Sequence, residues 1–287
     1  MSSTIIVTII SLSLLAAVFA VIIYFVSQKF HVIEDSRIDD VQEVLPAANC
    51  GGCGFAGCRN FAEALVVAET FDGLNCPVGG SEVMKTIAGI LGKAASEADP
   101  KVATLLCNGT PELRPRTTHY DGVESCHIQH SVYLGETNCS YGCLGDGDCV
   151  KACQFDAITI DSVTKLPVVI DDKCVACGAC VKACPRNLIE LRKKAKKDRK
   201  IYIACSNCDK GAIAIKACKA ACIGCSKCIK VCKFEAISIE NNRAYIDAEK
   251  CTFCRKCVAE CSIKAILEVN FPPPKPKVEA TDMITNS

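Results

Sequence analysis

Cys174, Cys177, Cys180 and Cys184 stand in the spacing C-x2-C-x2-C-x3-C. The same spacing returns at Cys222, Cys225, Cys228 and Cys232, and again at Cys251, Cys254, Cys257 and Cys261. A fourth cluster, Cys139, Cys143, Cys149 and Cys153, is a looser version of it. A fifth, Cys50, Cys53, Cys58 and Cys76, is interleaved with Gly51, Gly52, Gly54 and Gly57. Thiolates two or three residues apart suit one metal centre better than they suit distant disulfide partners. Four thiolates are a complete set for a [4Fe–4S] cluster. Zinc also accepts four thiolates, but the Gly-rich 2-then-4 spacing followed by Cys76-Pro77 is unusual for it, and soft sulfur donors in this number suit iron–sulfur chemistry.

Cysteine is the outlier of the composition, with 25 residues against 10 Phe, 6 Tyr and no Trp. So few aromatics build a thin apolar core, and metal–thiolate bonds can supply the missing cohesion. The net charge of +1 gives no global field that points to nucleic acid. Neither G-x-G-x-x-G nor GK[ST] occurs, so direct nucleotide binding is not expected.

In bacterial two-cluster proteins the first three cysteines of such a run bind one cube and the fourth binds the other. Two runs are therefore needed for each pair. On that rule the expected sets are Cys174, Cys177, Cys180 with Cys153; Cys222, Cys225, Cys228 with Cys261; and Cys251, Cys254, Cys257 with Cys232. The remaining set is Cys143, Cys149 and Cys184 with one further ligand. Here the halves of the chain differ. Cys126, Cys139, Cys143, Cys149 and Cys153 align with Cys205, Cys218, Cys222, Cys228 and Cys232 at a constant offset of 79, but Asp146 stands where the second copy has Cys225. Cys139 is the nearest replacement in sequence and is expected to fill the gap. Asp146 is a poorer donor for such a cube. Five clusters use 20 cysteines; Cys107, Cys126, Cys205, Cys208 and Cys218 are left for a sixth centre or for buried packing.

These loops need elements to position them. Alternating apolar residues in ACQFDAITIDSVTKLPVVIDDKC and VCKFEAISIENNRAYIDAEKC read as strand–turn–strand, with turns at Asp161–Lys165 and Asn241-Asn242. Helices are expected over Asn60–Thr70 and Glu82–Lys93. Ahead of all this, Thr4–Val26 runs 23 residues without a charge. As a helix that is roughly 34 Å, enough to span a bilayer's hydrocarbon core. Nothing basic precedes it, while Lys29 and Arg37 follow it, which expects the bulk of the chain on the cytoplasmic side. The fold class is α+β: a transmembrane anchor (1–28), a stem (29–45), a Gly-rich cluster domain (46–95), two tandem modules (96–191 and 201–269) and a Pro-rich tail (270–287). Between the modules lies a basic linker (192–200) with Arg192, Lys193, Lys194, Lys196, Lys197, Arg199 and Lys200. It is read either as a docking patch for an acidic redox partner or anionic lipid, or as a solvated connection.

The order anchor, LPAANCGGCGFAGC…CP, tandem runs, together with CNGTPELRPRTTHYDG, YGCLGDGDCVKAC and CSNCDKG, resembles the RnfB family. Its members are the B components of the Rnf complex, the ion-translocating ferredoxin:NAD oxidoreductase. The likeness extends to about Val269. Gln154, Lys233 and Ser262 depart from the ferredoxin pattern, which usually has Pro there. The resemblance implies two ferredoxin-like modules in a plasma-membrane translocase. It also implies electron transfer from reduced soluble ferredoxin toward other membrane subunits. A relay component of another membrane redox complex, hydrogenase-type or regulator-reducing, is the alternative.

Overall fold

The computed structural model describes residues 2–29, 35–94 and 99–272. The Pro-rich tail from residue 273 onward and part of the expected stem lie outside the described residues.

Helix α1 (Ser2–Lys29) contains the whole charge-free run and is long and apolar enough to cross a membrane. It buries nothing against the rest of the protein: Leu14, Ile23 and Phe25 are each more than 60% exposed, as an apolar-all-round helix must be when its solvent is lipid.

The Gly-rich domain packs three helices around its cysteine loop. These are α2 (Arg37–Val44), α3 (Cys58–Val67) and α4 (Gly80–Leu91). Helices α3 and α4 match the two expected from sequence, each beginning two residues earlier. Phe61, Leu65, Met84 and Ile87 recur at helical spacing and are fully buried together with Val41 and Phe71. Asn49 Oδ1 accepts the Cys58 backbone amide at 2.8 Å and so caps the first turn of α3. At the other end Lys93 Nζ donates to the Leu65 and Val66 carbonyls, where a cation complements the helix dipole.

The first module runs β1 (Lys101–Leu105), α5 (Cys126–Val132), α6 (Asp148–Lys151), β2 (Ile158–Ile160), β3 (Pro167–Val169), α7 (Ala179–Ala183) and β4 (Ile189–Lys193). The second runs β5 (Lys200–Ile203), α8 (Gly211–Ala217), α9 (Lys227–Val231), β6 (Ile237–Glu240), β7 (Arg243–Ile246), α10 (Lys256–Glu260) and β8 (Ile266–Val269). Both expected hairpins form, β2 with β3 and β6 with β7, and the first and last strands of each module also pair, β1 with β4 and β5 with β8. Asn241 and Asn242 both have positive φ, the geometry of a tight hairpin turn.

A finer repeat lies beneath this one. Gly145, Ala176, Gly224 and Phe253 sit at one equivalent position of the four loops. Gly147, Gly178, Ser226 and Arg255 sit at a second, and Asp156, Asn187, Glu235 and Lys264 at a third. All twelve have φ between +48° and +97°. For the eight that are not glycine this costs about 1 kcal/mol each. The same costly path taken four times indicates that each loop wraps the same object.

The basic stretch between the modules is not a free linker. Arg192 and Lys193 end β4, and Lys200 begins β5. Arg192 is 4% exposed, pairs with Glu190 and donates to the Ile246 carbonyl across the module boundary. Lys200 pairs with Asp171 at 2.8 Å, Lys193 with Asp99 at 2.6 Å and Lys194 with Asp198 at 3.2 Å. Arg199 stacks on Phe271. Lys196 and Lys197 are exposed. Arg192 and Lys200, at the strand ends of the run, therefore clamp the modules together through the Ile246 carbonyl and Asp171.

Candidate metal centres

Four cavities are each lined by four cysteines. In the Gly-rich domain these are Cys50, Cys53, Cys58 and Cys76. The second module has two: Cys222, Cys225, Cys228 and Cys261, and Cys232, Cys251, Cys254 and Cys257. Each takes three thiols from one loop and one from the other, as the run spacing predicts. In the first module Cys180 is faced by Cys174, Cys177 and Cys153.

The fourth cavity departs from the spacing argument. Its cysteines are Cys126, Cys143, Cys149 and Cys184, and Cys139 is not among them. The physical reason is a clamp at the start of α5. Asp148 Oδ2 accepts from Ser125 Oγ at 2.8 Å and from the His127 amide at 2.9 Å. Residues 125–127 are thereby tied to the 146–148 loop, and the backbone amides of Asp148 and Asp146 donate to the Cys126 sulfur. Cys126 thus sits over the loop where the second copy has Cys225. Asp146 keeps its carboxylate pKa raised by burial and by Asp148 and Glu136, with Oδ2 lacking a partner. Sequence proximity favoured Cys139, thirteen residues further on; the repeat alignment pairs Cys126 with Cys205 and Cys139 with Cys218 alike, so it does not choose between them.

These surroundings suit thiolate ligands of a cube. Backbone amides donate to sulfur: Gly79 to Cys76 at 3.3 Å, Ala157 to Cys153 at 3.4 Å, Leu188 to Cys184 at 3.3 Å and Ala244 to Cys222 at 3.4 Å. Such bonds tune the potential of a bound cluster. Burial pushes the thiols of Cys149 and Cys257 up to about 12 and those of Cys180 and Cys228 up to about 11, with neighbouring thiols adding to each shift. Four thiolates crowded in such a place need a cationic core to hold them ionised. No group of three or more His, Cys, Asp or Glu among the described residues is arranged to hold a single metal ion. The sulfurs ring cavities instead, as the ligands of a larger body do.

The sites also lie in series. A Cβ on Gly52 would stand 2.9 Å from the Cys177 Cα and carbonyl oxygen, so the Gly-rich loop abuts the 174–180 loop in backbone contact. Cys50 acts on Cys177, Cys180 on Cys149, and Cys228 on Cys257 through their charges.

An apolar membrane helix, a Gly-rich cysteine loop and two cross-linked hairpin modules define a membrane-anchored protein of the multi-cluster ferredoxin type. Family models agree: one described as a putative Fe-S cluster matches residues 45–77, a 4Fe-4S binding domain matches 167–190, and a 4Fe-4S dicluster domain matches 221–265. The B component of the ion-translocating oxidoreductase complex of Methanosarcina acetivorans is 40% identical over 88% of this chain and 94% of its own. The B component of the Na(+)-translocating ferredoxin:NAD(+) oxidoreductase complex of Acetobacterium woodii is 40% identical over 84% of this chain and 71% of its own. The proton-translocating counterpart of Clostridium ljungdahlii is 35% identical over 87% and 86%. The chain belongs to this family, the RnfB components of the Rnf-type oxidoreductase complexes.

Proposed function

We propose that the chain relays electrons, one at a time, through five [4Fe–4S] clusters from reduced soluble ferredoxin toward the membrane subunits of an ion-translocating ferredoxin:NAD oxidoreductase. The protein's bulk then faces the cytoplasm, where thiolates stay reduced and ferredoxin is present. The ligand sets of this reading are Cys50, Cys53, Cys58 and Cys76; Cys153, Cys174, Cys177 and Cys180; Cys126, Cys143, Cys149 and Cys184; Cys222, Cys225, Cys228 and Cys261; and Cys232, Cys251, Cys254 and Cys257. The observation that carries it is the repeated cavity lined by four thiols, one of them supplied by the neighbouring loop.

A bound cube supplies reversible one-electron chemistry. The chain's own part is geometric and electrostatic. Its loops hold thiolates, its backbone amides favour their charged form, and its apolar walls exclude water. Swapping the fourth ligand holds the two sites of a module at fixed short separation. Cys225 and Cys254 are the exposed cysteines of the chain, which gives a soluble donor its approach at the second module. The Gly-rich domain next to the anchor is then the outlet.

Anaerobic purification of the full chain in detergent tests this. The preparation should be brown, carry about twenty or more irons with matching acid-labile sulfide, and be reduced by ferredoxin. A folded, colourless, iron-free protein would remove the proposal.

A further inference from the structure

Five cysteines remain outside these sets, and four of them close a ring between the two modules. The segment around Cys107 lies along the one around Cys205: the Asn108 amide donates to the Ala204 carbonyl at 3.0 Å, and Ser206 Oγ donates to the Leu106 carbonyl at 3.2 Å. Asn207, 1% exposed, then joins two sulfurs. Its backbone amide donates to Cys205 Sγ and its Nδ2 to Cys139 Sγ, both at 3.5 Å. Cys218 completes the circuit. The Lys219 amide bonds the Leu113 carbonyl at 2.8 Å, drawing that corner of the second module onto the first. The thiols acting on Cys218 are those of Cys107 and Cys139, and Cys107 acts also on Cys205. Cys139, Cys205 and Cys218 are all buried. Cys139 and Cys218 are the same position of the two repeats, facing one another.

A second observation points to an anion in this place. The Arg114 side chain is 9% exposed. Its Nη2 donates to the Cys143 carbonyl at 2.6 Å, while its Nε has no partner. Arg186 stands close enough to act on it, donating only to the Gly142 and Leu134 carbonyls, again with Nε unpartnered. Neither has a carboxylate partner among the described contacts. Charges acting on Arg186 include those of Cys107, Cys139 and Cys143. A buried guanidinium beside a half-buried one is costly unless a negative body lies beside them. A cube held by four thiolates is such a body.

We infer that Cys107, Cys139, Cys205 and Cys218 hold a sixth iron–sulfur cluster, which bridges the two ferredoxin-like modules. The inference rests on the five-cluster reading and extends it. Cys143 of one module and Cys222 of the other both lie beside this ring. The sixth centre is thus the stepping stone between halves: it takes one electron from its neighbour on one side and gives one to its neighbour on the other. Cys208, whose thiol turns back to the Ser206 carbonyl at 3.6 Å, is left out.

Iron and acid-labile sulfide are counted on the anaerobic full chain, alone and as two variants. The wild type should carry about twenty-four irons. Cys107→Ser/Cys218→Ser should lose about four of them with the same proportion of visible absorption, and Cys208→Ser should lose none. Should the double variant fail to fold, the wild-type count decides alone. About twenty irons, unchanged by the double substitution, would overturn the sixth centre and leave the five-cluster reading standing. An iron-free wild type would end that reading itself. Loss of four irons in Cys208→Ser would overturn the ligand set.

Discussion

The two ferredoxin-like modules are copies at an offset of 79 residues, yet they complete their first cavity differently. The second copy takes its middle thiol, Cys225, from within the loop; the first has Asp146 there and takes Cys126 from seventeen residues before Cys143. What the loop lacks in the first copy, the leading extension supplies, held in place by the Asp148 clamp on Ser125 and His127. A ligand set is therefore a property of what the fold brings together, and loop spacing is one way among several to achieve it. The aligned cysteine of the second copy, Cys205, does not line that copy's cavity; it lies beside the Asn207 amide and Cys107.

The sharpest way to break this comparison is Cys126→Ser. It should cost about four irons, all from the first module, counted by iron and sulfide analysis. Adding Asp146→Cys should restore them by making the first copy resemble the second. If the single variant retains its iron, the difference between the copies is not the one described. Next in size, Arg192→Ala removes the cation that joins the copies. With Glu190 only partly exposed and the Ile246 carbonyl left bare, stability should fall by about 2–3 kcal/mol, read as a lower midpoint of anaerobic thermal unfolding with iron still bound at low temperature.

Smaller effects sharpen the picture. Gly52→Ala places a Cβ 2.9 Å from the Cys177 backbone and should cost about 1–3 kcal/mol, with slower reduction of the Gly-rich cluster in rapid-mixing spectra. The same substitution at Gly54, where a Cβ meets nothing within 4 Å but φ is +90°, separates backbone strain from contact. Lys264→Gly relieves a left-handed residue at an exposed site and should stabilise by up to about 1 kcal/mol. Lys196→Glu/Lys197→Glu should change stability by less than about 0.5 kcal/mol and leave the salt dependence of ferredoxin oxidation nearly flat. A steep change would return the linker to service as a docking patch.

Much of this architecture was legible in sequence because its signals are local. The three regular runs, the charge-free Thr4–Val26 segment and the Asn241-Asn242 turn each announce themselves within a few residues. The Cys126 site was hidden because the deciding contact, Asp148 to Ser125, spans 23 residues and involves no cysteine. The fate of the basic run was hidden too. Seven cations in nine residues look like a surface patch, and only the fold shows Asp171, Asp99, Glu190 and the Ile246 carbonyl waiting for them.

Because each hairpin module trades its last thiol between loops, emptying one site leaves a bare thiol at the end of the other site's loop. Oxygen that dismantles the cube at exposed Cys225 frees Cys261, which lies at the end of the helix that follows the adjoining loop. That thiol is the next oxidation target, and it lies where a soluble donor also makes its approach.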